Sequence, residues 1–156
     1  MKKTEKAAFG AGCFWHVEEE FSKLKGVIKT TVGYMGGTVK NPTYKQVCND
    51  KTGHAEVCQV EYNPKEISYK ELLDAFWRIH DPTQYNRQGP DVGSQYKSVI
   101  FYHDEEQKEI AEKSKEEQQK RHNGMIVTKI ESAKEFWKAE EYHQKYFQKN
   151  KIFKCG

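Results

Sequence analysis

Long apolar runs are missing from these 156 residues, and the mean hydropathy is low, at -0.98. Nothing approaches the roughly 20 apolar residues of a membrane-spanning helix. The basic start, Met1-Lys2-Lys3, has no apolar stretch behind it, so no secretory leader is expected and the cytoplasm is the expected location. A charge excess is missing too: 26 Lys and Arg stand against 23 Asp and Glu, for a net charge of +3. That surface calls for neither nucleic acid nor a membrane as partner. Signatures of bound groups are equally scarce. The six histidines include no HExxH, the four cysteines have no CxxC spacing, and GxGxxG is absent. No metal or bound cofactor is therefore expected. Repeats, low-complexity tracts and linkers are absent as well, which leaves one domain over residues 1–156, with a mobile tail from about residue 148.

Aromatic residues, by contrast, are plentiful at 13%, nine of them tyrosines. The most informative stretch is Gly12-Cys13-Phe14-Trp15, where a short apolar run gives way to helical spacing. A cysteine at such a junction lies among unpaired backbone N–H groups at the positive end of a helix dipole. That setting favours the thiolate, the reactive form. Phe14 and Trp15 add an apolar wall, suiting a nucleophile that attacks something small and apolar.

The chain pattern places strands at Lys6 to Gly10, Val27 to Tyr34, Ala55 to Tyr62, Ser98 to Tyr102 and Ile126 to Ile130. A helix is expected from Phe14 to Leu24 and another behind the capping pair Ser68 and Glu71, ending before Asp81-Pro82. Asp104 to Asn123 reads as a charged helix riding on the surface, Thr83 to Gln95 as loop, and Phe136 to Tyr146 as an aromatic final segment. The order predicts an α+β fold: a split βαβ (ferredoxin-like) two-layer sandwich with an additional C-terminal segment.

Glu56 lies inside a strand-like run, so it either faces solvent or faces Cys13 as a protonated general acid. Strand alternation puts Cys58 on the face of Glu56. Tyr44, Asp91 and Tyr96 sit in loops or at element ends, where tyrosine hydroxyls can donate to an oxygen gaining negative charge. Cys48, one helical turn after Tyr44, reads as a packing residue. Cys155, on the tail, is either a stray thiol or a resolving cysteine that attacks an oxidised Cys13. On residues alone, a thiol peroxidase and a sheet presenting aromatics to RNA are rival readings, the second disfavoured by the balanced charge.

Taken together the motifs resemble the A-class peptide methionine sulfoxide reductases. In order come Gly12-Cys13-Phe14-Trp15, Gly33-Tyr34-Met35-Gly36-Gly37, Asn41-Pro42-Thr43-Tyr44, His54-Ala55-Glu56-Val57, His80-Asp81-Pro82-Thr83, Asp91-Val92-Gly93-Ser94-Gln95-Tyr96 and Ala139-Glu140-Glu141-Tyr142-His143-Gln144. The resemblance implies reduction of the S epimer of methionine sulfoxide, protein-bound and free. Cys13 would be the nucleophile, Glu56 the acid, and Tyr44, Tyr96 and Asp91 the groups around the sulfoxide oxygen. Phe14 and Trp15 would enclose the methyl group. It implies a sulfenic acid on Cys13, resolution by Cys155 with Cys58 as the rival, and recycling by thioredoxin or another dithiol, with no bound cofactor. A monomer is expected.

Overall fold

The computed structural model describes residues 4–49 and 52–149. Cys155 and the end of the expected tail lie outside the described residues. The chain forms β1 (Glu5–Ala11), α1 (Phe14–Ser22), β2 (Val27–Met35), α2 (Tyr44–Cys48), β3 (Ala55–Tyr62), α3 (Tyr69–Arg78), β4 (Arg87–Gln88), β5 (Asp91–Val92), β6 (Ser98–Tyr102), α4 (Glu105–Gln119), β7 (Lys129–Ser132), β8 (Trp137–Lys138) and α5 (Tyr146–Lys149). Short 3-10 turns occupy Ser94–Tyr96 and Glu141–His143.

Six strands make one mixed sheet in the order β7-β6-β1-β3-β2-β8. Every pairing is antiparallel except that of β6 with β7. In the central four strands, α1 connects β1 to β2 and α3 connects β3 to β6. β1 lies between β3 and β6 and is buried from Ala7 onward, because apolar residues point to both faces. One face carries Ala7, Phe9, Tyr34, Cys58 and Val60 against Phe14, Val17 and Phe21 of α1 and Leu72, Leu73 and Phe76 of α3. Phe9 stacks on Phe21 with centroids 5.0 Å apart. The other face holds Ala8, Met35, Ala55, Val57, Val99 and Phe101, with Phe136 packed against them.

Helix starts are where the side chains demand them. Ser68 Oγ accepts from the Glu71 N–H (3.1 Å) while the Glu71 carboxylate accepts from the Ser68 N–H (3.0 Å), closing the expected capping box of α3. Thr43 and Gln46 make a second box at the start of α2, a five-residue helix.

Three expectations change. α4 does not merely ride on the surface, since Gln107, Ala111 and Ser114 are buried on its inner side. The Trp77 indole donates to Ser114 Oγ at 2.8 Å, and Gln107 Nε2 donates to the Lys6 carbonyl at 2.9 Å. Small and hydrogen-bonded residues replace the apolar stripe that marks a packed helix face in sequence. The segment from Thr83 to Gln95 includes the β4–β5 hairpin and a 3-10 turn. The last long strand is shifted: Ile126 is buried and the Val127 N–H bonds the Pro82 carbonyl (2.9 Å), but ladder pairing begins at Lys129. No described helix is long and apolar enough to cross a membrane.

Candidate active site

Cys13 is the N-cap residue of α1, with extended backbone (φ −61°, ψ 122°), and its carbonyl accepts from His16 N–H (3.2 Å) and Val17 N–H (3.3 Å). Its thiol therefore sits beside the first turn of the helix, as the junction predicts. Gly12 makes the turn possible. It adopts φ +94°, and a Cβ there would approach Gln88 carbons at 2.8 and 2.9 Å. Gln88 is fixed in turn, because its side chain bonds both the Asp81 N–H (3.0 Å) and the Asp81 carbonyl.

Glu56 faces inward. It is 1% exposed, stands opposite Tyr34 across the β2–β3 ladder, and its Oε1 accepts from the Phe14 N–H at 3.2 Å. That bond joins the carboxyl to the residue directly after Cys13. Cys58 shares its face, as alternation requires, but is fully buried in the core, and burial raises its thiol well above the ordinary value. A thiol so placed is a poor rival for resolving an oxidised Cys13.

The aromatic wall is larger than the sequence suggests. Phe14 is buried with its ring 5.7 Å from Tyr34, 6.4 Å from Tyr44 and 5.2 Å from His143. Trp15 lies flat on Tyr146 (3.7 Å between centroids) and its indole N–H donates to His143 Nδ1 at 2.9 Å. Since the indole can only donate, Nδ1 of His143 is an acceptor, and burial first of all pushes that imidazole's pKa down.

Tyr44 and Tyr96 complete the cluster. Burial raises both phenols out of the ordinary range. For Tyr96, charge on Asp91 and Cys13 contributes further, so this hydroxyl lies within electrostatic reach of both. Asp91, on β5, lines a cavity of about 220 Å³ together with Ala11, Cys13, His16, Ile79, Gln88, Gly89 and Pro90, and burial raises its carboxyl above the usual value. The structure thus brings Cys13, Phe14, Trp15, Tyr44, Glu56, Asp91 and Tyr96 together. Chemically the arrangement offers a nucleophile, an adjacent carboxyl, two protonated phenols and an apolar wall. Among the described residues no cluster of three His, Cys, Asp or Glu could hold a metal ion.

Some neighbours escape residue-by-residue reading. Cys48 is exposed rather than packed. Tyr34, Glu140, His143 and Tyr146 reach the cluster from positions up to 133 residues beyond Cys13. Only the run Ala139 to Gln144 marks that region in sequence, and it gives no hint which side chain does what.

Comparison with known proteins places the chain in a family. The pattern of the family described as peptide methionine sulfoxide reductase matches residues 5–156. A curated relative from Methanoculleus marisnigri, peptide methionine sulfoxide reductase MsrA, is 58% identical over 156 residues, covering 99% of this chain and 95% of that protein. Among solved structures, Mxr1 from Saccharomyces cerevisiae in reduced form superposes with a TM-score of 0.94 at 42% identity, over 98% of this chain and 89% of that one. Mxr1 in complex with Trx2 gives 0.67 at 32% identity, over 92% of this chain and 85% of that one.

Proposed function

The chain belongs to the peptide methionine sulfoxide reductases, and within that oxidoreductase activity we propose that Cys13 is the nucleophile and Glu56 the acid. The observation that carries this reading is the bond from the Phe14 N–H to Glu56 Oε1. It locks a buried carboxyl to the residue following a helix-capping cysteine.

In the proposed reaction the Cys13 thiolate attacks the sulfoxide sulfur while the Glu56 carboxyl delivers a proton to the oxygen. Glu56, 1% exposed and bonded at the start of α1, is placed to supply that proton as a general acid. The oxygen passes to Cys13 as a sulfenic acid and the thioether leaves as methionine, so substrate loses one oxygen and the protein gains it. Tyr44 and Tyr96 donate to the oxygen as it gains negative charge, and their raised pKa keeps them protonated donors. Asp91 supports the polar side of the pocket, while Phe14 and Trp15 enclose the methyl group. Oxygen donors on one side and an aromatic cage on the other make the pocket chiral, in keeping with S-epimer selectivity. The side chain alone fills such a pocket, so both protein-bound and free methionine sulfoxide are substrates in this reading.

Cys155 then attacks the sulfenic sulfur, releasing water and leaving a Cys13–Cys155 disulfide. A dithiol of the thioredoxin type reduces it, a step supported by the solved pairing of yeast Mxr1 with Trx2. In fold terms we read β1, α1, β2, β3, α3 and β6 as a split βαβ core carrying this site, on the strength of the order β6-β1-β3-β2.

The test is chemical trapping. A Cys155→Ser variant given one equivalent of methionine S-sulfoxide should release one methionine and yield a dimedone adduct on Cys13. Methionine release with the adduct on another cysteine, or none at all, overturns the assignment.

A further inference from the structure

We propose that Glu140 is a positioning residue that holds Tyr44 against the Glu56 face of the sheet, and so sets the spacing between the two groups that meet the substrate oxygen. The proposal rests on the roles given above to Tyr44 and Glu56.

Each oxygen of the Glu140 carboxylate is committed. Oε1 accepts from the Tyr34 hydroxyl at 3.0 Å, and Oε2 accepts from the Tyr44 backbone N–H at 3.0 Å. Tyr34 is the residue opposite Glu56 on the neighbouring strand, and it is fully buried. The Tyr44 N–H is the first of α2 and has no partner within its own helix. Thr43, which caps that helix, accepts from Gln46 instead, and Glu140 serves the Tyr44 N–H. One carboxylate therefore ties the strand beside Glu56 to the helix that starts with Tyr44.

The segment carrying Glu140 is itself fixed. The Ala139 N–H bonds the Val32 carbonyl at 2.9 Å, and the Gln144 amide takes both the Val32 N–H (2.9 Å) and the Val32 carbonyl (2.8 Å). Beyond it the Lys145 N–H donates to buried Glu18 Oε1 at 2.7 Å. A positioning group is useful only when its own seat is rigid, and this one is anchored on β2 and on α1. Burial pushes the Glu140 carboxyl up, but the bonds from Tyr44, its own backbone and Tyr34 outweigh it and hold it below its ordinary value, so it is an anion with both acceptors available.

The chemistry of substitution is specific. Alanine removes both acceptors. Glutamine keeps one oxygen for the Tyr44 N–H, and its amide N–H₂ can donate to the Tyr34 oxygen, which is able to accept. Glu140→Gln should therefore rescue what Glu140→Ala loses.

The experiment is a double-mutant cycle on single-turnover methionine release, with Glu140→Ala, Glu140→Gln, Tyr44→Phe and the Glu140→Ala/Tyr44→Phe pair. The loss of one geometry-setting hydrogen bond predicts about a tenfold slower release in Glu140→Ala, with Glu140→Gln within about threefold of wild type. In the Tyr44→Phe background, Glu140→Ala should cost no more than about a further twofold, because the hydroxyl through which it acts is gone. Alkylation of Cys13 by iodoacetamide should be unchanged within about twofold, a readout that general loosening of the fold would move. If Glu140→Ala does not fold, Glu140→Asp replaces it in the same cycle. Full additivity with Tyr44→Phe, or no slowing by Glu140→Ala, overturns the proposal. Wild-type release by Tyr44→Phe alone overturns the role of Tyr44 first, and the role of Glu140 with it.

Discussion

In the proposed reaction Cys13 and Glu56 divide the work of nucleophile and acid, because the chain puts one at a helix start and the other in a dry strand. The division predicts an order of activities. Glu56→Gln retains an amide that can still donate a hydrogen bond, so it should keep partial activity, while Glu56→Ala should lose most of it. Steady-state rates on a methionine sulfoxide peptide check this, and equal rates for the two variants argue against a donor role. The cysteines make a second prediction. Cys58 is sealed in the core with a raised thiol, whereas Cys48 is exposed, so native protein should alkylate at Cys48 and leave Cys58 untouched until unfolded. Peptide mapping reads the outcome directly, and fast labelling of Cys58 in the native state counts against the buried placement. At this scale the sequence is informative where chemistry constrains the residue type: a cysteine at a strand–helix junction, and a carboxyl in a strand-like run. It misleads on Cys48, which reads as a packing residue but is exposed, because exposure of a five-residue helix depends on what lies beside it.

Elements were legible in proportion to how strongly side chains write their boundaries. α3 begins at its Ser68–Glu71 box, and losing that cap by Ser68→Ala should destabilise the protein by about 1 kcal/mol in urea unfolding, with activity retained. A change much larger would mean that Ser68 supports more than the helix start. α1 is placed correctly by its buried Phe14, Val17 and Phe21, although it stops at Ser22 rather than Leu24. What could not be read was pairing made by distant partners. The β4–β5 hairpin is two residues a side, too short for any alternation to register, yet it brings Asp91 and Gln88 beside Cys13. The packed side of α4 rests on Ala111, Ser114 and Gln107; the last two look like surface residues until the bonds of Ser114 with Trp77 and of Gln107 with Lys6 are seen. The run from Ala139 to Lys145 acts through side-chain amides and carboxylates docked on β2, α1 and α2, and no periodic signal announces that kind of docking.

Across the whole molecule the site depends on β1 and β6 staying in register, since Ala11 pairs with Ser98 just before the chain turns into Cys13. A chain of hydrogen bonds crosses this point. His80 Nδ1 meets the Phe76 carbonyl at 2.7 Å, which fixes the proton on Nδ1. Nε2 must then accept from Ser98 Oγ (2.7 Å), and Ser98 Oγ from Thr128 Oγ1 (2.7 Å), linking α3, β6 and the segment before β7. Burial lowers His80 to about 4 from an ordinary 6.5. Above pH 6.5 the imidazole is neutral folded or unfolded; as pH falls toward 4 only the unfolded chain takes up the proton, so stability is lost across that window. The loss attributable to His80 should be about 2–3 kcal/mol between pH 7 and pH 4, seen as a steeper pH dependence of urea unfolding in wild type than in His80→Gln. Parallel profiles for the two proteins contradict it. The central claim is tested most directly by single-turnover reduction of separated S and R methionine sulfoxide epimers by fully reduced protein, wild type and Cys13→Ser, with thiols counted afterwards. The account predicts turnover of the S epimer alone, loss of two thiols in wild type, and no turnover in Cys13→Ser. Equal turnover of both epimers, or turnover that survives in Cys13→Ser, contradicts it.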